Sequence, residues 1–226
     1  MSLIVAIVLV AAAALVTLVL ELASRRERDQ LRTTTLRVVI PGLPTDLHGL
    51  RVAFITDLHV PRMYVPLPTL LQALEQWRPR VLLLGGDYAA GRLRLRHATE
   101  LLRELTARWP VVAVSGNTDY YFGCDLDKLS ELMTASGGAL LRNQAWRTPV
   151  GASSLEVLGL DDPINSRSDP EAALAQAGPE AGVRLALAHS PAVWQDIARL
   201  GAHIALCGHA HGGQVRLPGR EAFITH

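Results

Sequence analysis

Apolar residues along this chain form three kinds of run. The first, from Leu3 to Leu20, is continuous except for Thr17. At 1.5 Å per residue it makes about 27 Å of helix, close to the hydrocarbon thickness of a bilayer. No polar stripe interrupts it, as an amphipathic soluble helix would require, so it predicts a membrane-spanning segment. Runs of the second kind are short and rich in β-formers, and they predict buried strands over residues 51–56, 81–84, 111–114 and 155–160. Those of the third kind carry leucines on one helical face, over 68–77 and 95–109. Further helices are expected over 125–135, opened by Asp125 and stopped by Gly137 and Gly138, and over 170–177 and 191–200. Residues 36–40 with the following PGLP turn read as a first edge strand. The rhythm is that of an α/β domain.

The short apolar runs share a feature at their carboxyl ends. FITDLH, VLLLGGD, VVAVSGN, LALAHS and LCGHAH each deliver one or two ligand-type side chains where a strand should leave its sheet: Asp57 and His59, Asp87, Asn117, His189, and His209 with His211. In α/β sheets, ligands bind outside the carboxyl ends of the strands. A lone histidine on an apolar segment is usually structural, but five such placements in one chain point to a common site. Imidazoles and carboxylates without a thiolate suit borderline divalent ions such as Mn, Fe or Zn, whereas an all-oxygen set would favour Mg or Ca. At about four bonds per ion, these residues can serve two ions only if one carboxylate bridges, and Asp87 is the natural bridge.

This motif order, D-x-H, G-D, G-N, H and G-H-x-H, resembles that of the calcineurin-like metallophosphoesterase family, over residues 50–216. The resemblance implies a four-layer αββα sandwich of two mixed sheets, with two divalent metal ions at one edge. It places Asp57, His59, Asp87 and His211 on one ion, and Asp87, Asn117, His189 and His209 on the other. Asp87, Asn117 and His209 are then also the catalytic residues. A metal-activated hydroxide shared by the ions would attack phosphorus in line, with no protein nucleophile. The run CGHAHGGQVRLP, with LGLDDP upstream, is similar to the membrane-associated YkuE-like and YaeI-like branch, to which a group of UDP-diacylglucosamine hydrolases is related.

One position departs from the family pattern. Where most members carry the histidine of G-N-H-[DE], this chain reads Gly116, Asn117, Thr118 and Asp119. A hydroxyl cannot serve as a general acid near neutral pH, and losing that function costs on the order of 10² to 10⁴ in rate for poor leaving groups. A nucleotide leaving from a pyrophosphate needs little protonation. Thr118 and Asp119 are therefore expected to contact substrate, and Asp119 to fix the loop carrying Asn117 or to pair with an arginine. The expected activity is hydrolysis of a phosphodiester or pyrophosphate, with a lipid-linked substrate such as UDP-2,3-diacylglucosamine among the candidates. The alternative is a catalytically weakened, metal-binding membrane scaffold of the same fold.

Composition adds boundaries to this picture. A formal net charge of +1 and 49% hydrophobic content exclude a disordered chain and give no electrostatic footprint for nucleic acid. No phosphate-binding loop of the G-x-x-x-x-G-K-[ST] kind is present, Lys128 being the chain's lone lysine. Cys124 and Cys207 make no disulfide framework and read as small unpaired residues of a reducing compartment. Residues 1–23 are the expected anchor, 24–34 a basic juxtamembrane linker, and 35–226 the phosphoesterase domain, which reads as short at its carboxyl end against the family. Arg25, Arg26, Arg28 and Arg32 follow the apolar run, so the positive-inside rule expects a single-pass protein of the inner or plasma membrane with its domain in the cytoplasm. Asp161 and Asp162 read as a site rim or as a turn. His48, His97 and His203 lack motif context.

Overall fold

In the computed structural model, the structure describes residues 3–28, 30–61, 65–163, 167–179, 181–211, 215–216 and 222–224. Helix α1, Leu3–Arg28, contains the apolar run, and its residues 3–22 are long and apolar enough to cross a membrane. None of that stretch is buried against the rest of the chain. The expected edge strand at 36–40 does not form. Residues 31–40 carry no strand or bridge, and Leu36 and Val39 are exposed. A β-branched run has the propensity for a strand, but extended backbone becomes one only where a neighbour completes the ladder.

Two four-stranded sheets follow. The first is β1 (Val52–Ile55), β2 (Val81–Leu84), β3 (Val111–Val114) and β4 (Ala139–Leu141), in that spatial order. It is parallel throughout, so the expectation of two mixed sheets holds only for the second. That sheet is β5 (Gln144–Val150), β6 (Ser153–Gly159), β7 (Val183–Ala188) and β8 (Ile204–Cys207), again in chain order. The β5–β6 hairpin is antiparallel and the remaining pairings are parallel. Pro149 is tolerated in β5 because this strand lies at the sheet edge, where a missing N–H breaks no inner ladder.

The helices cover both outer faces. They are α2 (Leu67–Trp77), α3 (Leu95–Thr106), α4 (Asn117–Tyr121), α5 (Leu126–Ala135), α6 (Pro170–Leu174) and α7 (Trp194–Arg199). Ala98, Leu101, Leu102 and Leu105 repeat at helical spacing on α3 and pack with Leu82 and Leu84 of β2 on the outer face of the first sheet. Leu126, Leu129 and Met133 of α5 join the same layer, and Asp125 caps that helix by accepting from the Lys128 N–H at 3.0 Å. The central layer sits between the sheets, with Leu83, Val112 and Val114 against Leu155, Val157 and Leu185. A third layer packs Leu158, Ala186 and Ala188 against Ala173, Val193 and Leu200. Three stacked apolar layers between four layers of backbone make an αββα sandwich. Beyond β8, β9 (Val215–Arg216) and β10 (Ala222–Ile224) pair antiparallel with one another.

This layering decides where chemistry can occur. Strands β1, β2, β3, β7 and β8 run parallel to their sheet neighbours, so the carboxyl ends of β1–β3 lie at one edge of the first sheet and those of β7 and β8 at one edge of the second. Every candidate ligand stands in the segment just past one of those ends.

Candidate metal centre

The seven predicted ligands converge at this edge. Asp87 and His189 form the floor, at 2% and 0% exposure, and His211 stands exposed at the mouth. His59 Nε2 lies 3.3 Å from His211 Nε2 and 3.5 Å from Asp87 Oδ2. His211 Nε2 is 3.4 Å from Asp57 Oδ1. On the other side, His189 Nε2 is 3.1 Å from Asn117 Oδ1, 3.2 Å from His209 Nδ1 and 3.5 Å from Asp87 Oδ1. Asp87 thus presents one carboxylate oxygen to each group of imidazoles.

The donor set fits metal ions. Donor atoms sharing a tetrahedral ion at about 2.1 Å stand about 3.4 Å apart, close to the separations found within each group. Asp57, His59 and His211 form one cluster that could hold an ion, and Asp57, Asp87 and His189 another. His189 is also oriented for such a role. Its Nδ1 lies 2.7 Å from the Gly85 carbonyl, which can only accept, so Nδ1 carries the proton and Nε2 turns its lone pair into the site. Burial lowers the His209 and His59 imidazoles below their ordinary range, favouring the neutral form that binds metal.

The backbone is bent to make this arrangement. Asp57, His59, Asp87, His209 and His211 all have positive φ, between 43° and 70°. Side chains at such positions cost about 1–3 kcal/mol each and persist only where the surroundings hold them. Here neighbouring groups do so. The His209 N–H donates to Asp57 Oδ2 at 3.0 Å, Thr56 Oγ1 donates to the same oxygen at 2.9 Å, and the Thr118 N–H donates to Asp87 Oδ1 at 3.0 Å. Gly86 and Gly116 let the loops after β2 and β3 touch: a Cβ on Gly116 would collide with Asp87 Oδ1, and one on Gly86 would meet the Gly116 backbone.

Asp119 corrects one expectation. It is wholly buried and pairs with no arginine among the described residues. Its carboxylate accepts from the N–H groups of Asp87, Gly116 and Tyr88, each at 2.9 Å. With both oxygens turned to backbone it cannot reach a substrate, and it ties the Asp87 loop to the Asn117 loop instead. Burial pushes this carboxyl up to about 6 despite the three donors. Thr118 stands where the sequence places it, beside Asp87. Its Oγ1 is buried and has no hydrogen-bond partner among the described residues.

Other residues were less legible. Tyr120 donates its hydroxyl to Asp161, at 2.6 Å to Oδ1, under the Arg167 guanidinium, which lies 4.3 Å from the ring. Asn143, at φ 58°, accepts from the Asp161 and Asp169 N–H groups and so fixes the loop after β6. Asp162 is buried and lies near enough to His209 to act on its charge. Only the D-D-P turn hinted at this. His48 contacts the Leu43 carbonyl, His203 accepts from the Arg184 N–H, and His97 is half-buried on α3; none is part of the ligand cluster. Residues 62–64 and 212–214, the latter within the run CGHAHGGQVRLP, lie outside the described residues.

An αββα sandwich with Asp and His donors at its strand ends defines a class. Residues 50–213 match the family model described as calcineurin-like phosphoesterase, and the chain belongs to that family. It is 31% identical over 174 residues to Phosphodiesterase YaeI of Escherichia coli K12, covering 74% of this chain and 63% of that protein. Two Bacillus subtilis 168 proteins are also similar, each named an uncharacterized metallophosphoesterase. YkoQ is 26% identical over 78% of this chain and 66% of its own length, and YkuE is 25% identical over 88% and 71%. The chain thus spans less than two thirds of YaeI.

Proposed function

We propose that this protein is a membrane-anchored, two-metal hydrolase of phosphodiester or pyrophosphate bonds. The observation that carries the reading is the division of the Asp87 carboxylate, Oδ2 toward His59 and Oδ1 toward His189. That geometry suits a bridge between an ion held by Asp57, His59, Asp87 and His211 and one held by Asp87, Asn117, His189 and His209. Mn, Fe or Zn suits these donors. Bound there, two divalent cations would supply an activated water and neutralise the phosphoryl oxygens.

The chain's own residues set the rest. His189, locked by Gly85, offers Nε2 without rotating, and Asp119 holds the Asp87 and Asn117 loops together. Thr118 lies beside Asp87, its N–H donating to Oδ1, and its own Oγ1 is buried without a hydrogen-bond partner among the described residues. A hydroxyl there cannot protonate a leaving alkoxide, which favours substrates whose leaving group is already a weak base. YaeI carries the name phosphodiesterase, in keeping with this class of bond. A nucleotide leaving from a lipid-linked pyrophosphate, as in UDP-2,3-diacylglucosamine, meets the same requirement.

Residues 1–23 are the proposed anchor and 24–34 the linker to the domain. The exposed apolar helix supports the anchor, and the arginines after it support a cytoplasmic domain. The test is hydrolysis of bis-p-nitrophenyl phosphate and of UDP-diacylglucosamine by the full chain in detergent with Mn²⁺, beside Asp87→Asn. Equal rates for the two proteins on every substrate would leave a metal-binding scaffold and remove the enzyme.

A further inference from the structure

Beyond residue 40, large apolar side chains are exposed at few described positions, and three stand out. Leu93 is 94% exposed, Tyr121 84% and Trp194 65%. Scattered exposed apolar residues are ordinary and by themselves mean nothing. These three, however, all lie in segments that leave a ligand-bearing strand at its carboxyl end. Leu93 occupies the 3₁₀ turn Arg92–Arg94 after β2, Tyr121 ends α4 after β3, and Trp194 opens α7 after β7. Trp77, the remaining exposed large apolar residue past position 40 among the described residues, ends α2 before β2 begins, at the opposite edge, where the Arg51 guanidinium lies 5.7 Å from its ring.

Exposed cations stand at the same edge. Arg92 and Arg94 flank Leu93, both are exposed, and neither has an ion pair among the described residues. Arg167, also exposed, stacks on Tyr120, the neighbour of Tyr121. The acids nearby are otherwise engaged. Asp161 accepts from Tyr120, Asp162 is buried, Asp125 caps α5, Asp196 accepts from the Ser168 hydroxyl, and Asp57 and Asp87 face the metal site. Arg96 pairs with Glu100 and contributes no net charge.

We propose that this edge docks on an anionic bilayer. Leu93, Tyr121 and Trp194 enter the headgroup boundary, Arg92 and Arg94 pair with lipid phosphates, and the mouth of the metal centre opens onto the lipid surface. Aromatic side chains with one polar end favour that boundary, and each arginine near an anionic leaflet adds about 1 kcal/mol. A second copy of this chain is a poorer occupant, because unpaired arginines would meet their own kind. Segment 31–40 carries no helix or strand and can span at most about 35 Å, which is the reach the domain has for turning this edge toward a membrane holding α1. The inference rests on the anchor reading for delivery alone; the docking contacts belong to the rim.

The test uses the full chain reconstituted in vesicles with brominated acyl chains, made of phosphatidylcholine with or without phosphatidylglycerol. The Trp194 signal is the difference between the native chain and Trp194→Phe. Phosphatidylglycerol vesicles should quench about half or more of that emission, and Arg92→Glu with Arg94→Glu should return it to the phosphatidylcholine value. Unquenched Trp194 emission in phosphatidylglycerol vesicles would overturn the docking, as would quenching that charge reversal leaves unchanged. Emission that instead tracks protein concentration and ignores bromine would assign the rim to a second copy and overturn it equally. Alkaline extraction of the same vesicles reads the anchor separately. A retained chain with unquenched Trp194 sinks the docking alone, and an extracted chain whose Trp194 had been quenched sinks the anchor alone.

Discussion

The Asp87 N–H donates to the buried carboxylate of Asp119 at 2.9 Å, across 32 residues of sequence. The same carboxylate takes the Gly116 N–H at 2.9 Å, so a single side chain fixes the two loops that carry Asp87 and Asn117. Its place in the sequence, two residues after Asn117, is thereby explained by backbone geometry.

Asp119→Ala should therefore act on the fold before it acts on chemistry. It leaves three buried N–H groups unpaired, and such groups cost about 1–3 kcal/mol each, lessened where water or backbone relaxation satisfies some of them. A loss of about 3 kcal/mol in urea unfolding of the metal-free protein is expected. An unchanged midpoint would show that the loops hold themselves.

The ligand assignment predicts unequal losses. His209→Ala should drop one ion and nearly all turnover while leaving the sandwich intact. Asp87→Asn should weaken both ions, because a neutral amide replaces the shared anion. Elemental analysis of the purified variants decides the matter: close to two ions per chain in Asp87→Asn contradicts the bridge.

Gly116→Ala tests the same carboxylate without replacing a ligand. The added methyl collides with Asp87 Oδ1 and its N–H. Metal content and activity should both fall steeply, whereas Gly123→Ala, with open space around its Cβ but a positive φ, should cost stability alone. Full metal occupancy in Gly116→Ala would mean the loops separate easily.

Chelation should reveal how far the ions support the backbone. With five ligands in the left-handed region, the metal-free protein carries strain that binding offsets. A chelator should lower the melting temperature by several degrees and added Mn²⁺ or Zn²⁺ should restore it, the shift growing with metal concentration. A melting temperature indifferent to metal would place the source of that support in the protein scaffold.

Thr118→His separates proton transfer from packing. If the missing acid matters, activity should rise on alkyl phosphates far more than on nitrophenyl esters, because the former need a proton in the transition state. A nucleotide pyrophosphate should change little. Equal effects on all three substrates would show that position 118 governs packing.

The sequence displays this site because each donor follows an apolar run, a local signal that survives without knowledge of the fold. Strands β1, β2, β3 and β6 and helices α2, α3 and α5 were legible for the same reason, each having a clean period. Strand β4 is three residues long and β5 contains Pro149 and Arg147, so neither announces itself. Helix α4, reading NTDYY, has no periodicity and exists because Asp119 closes back on Gly116. Residues 31–40 show the converse: strong β-formers without a neighbouring edge stay unpaired. The links from Tyr120 to Asp161 and from Asn143 to Asp169 join segments 41 and 26 residues apart, and no local pattern encodes them.

The bond from His209 N–H to Asp57 joins positions 152 residues apart. In the proposed assignment one ion waits for His211 and the other for His189 and His209, so neither donor set is complete until β8 has been synthesised. A chain still on the ribosome with only its first sheet made offers Asp57, His59, Asp87 and Asn117, a donor set that lacks three of the four imidazoles. The order of translation thereby makes correct metallation a late event, and the identity of the ions is decided in the finished protein, among the metals its compartment then supplies.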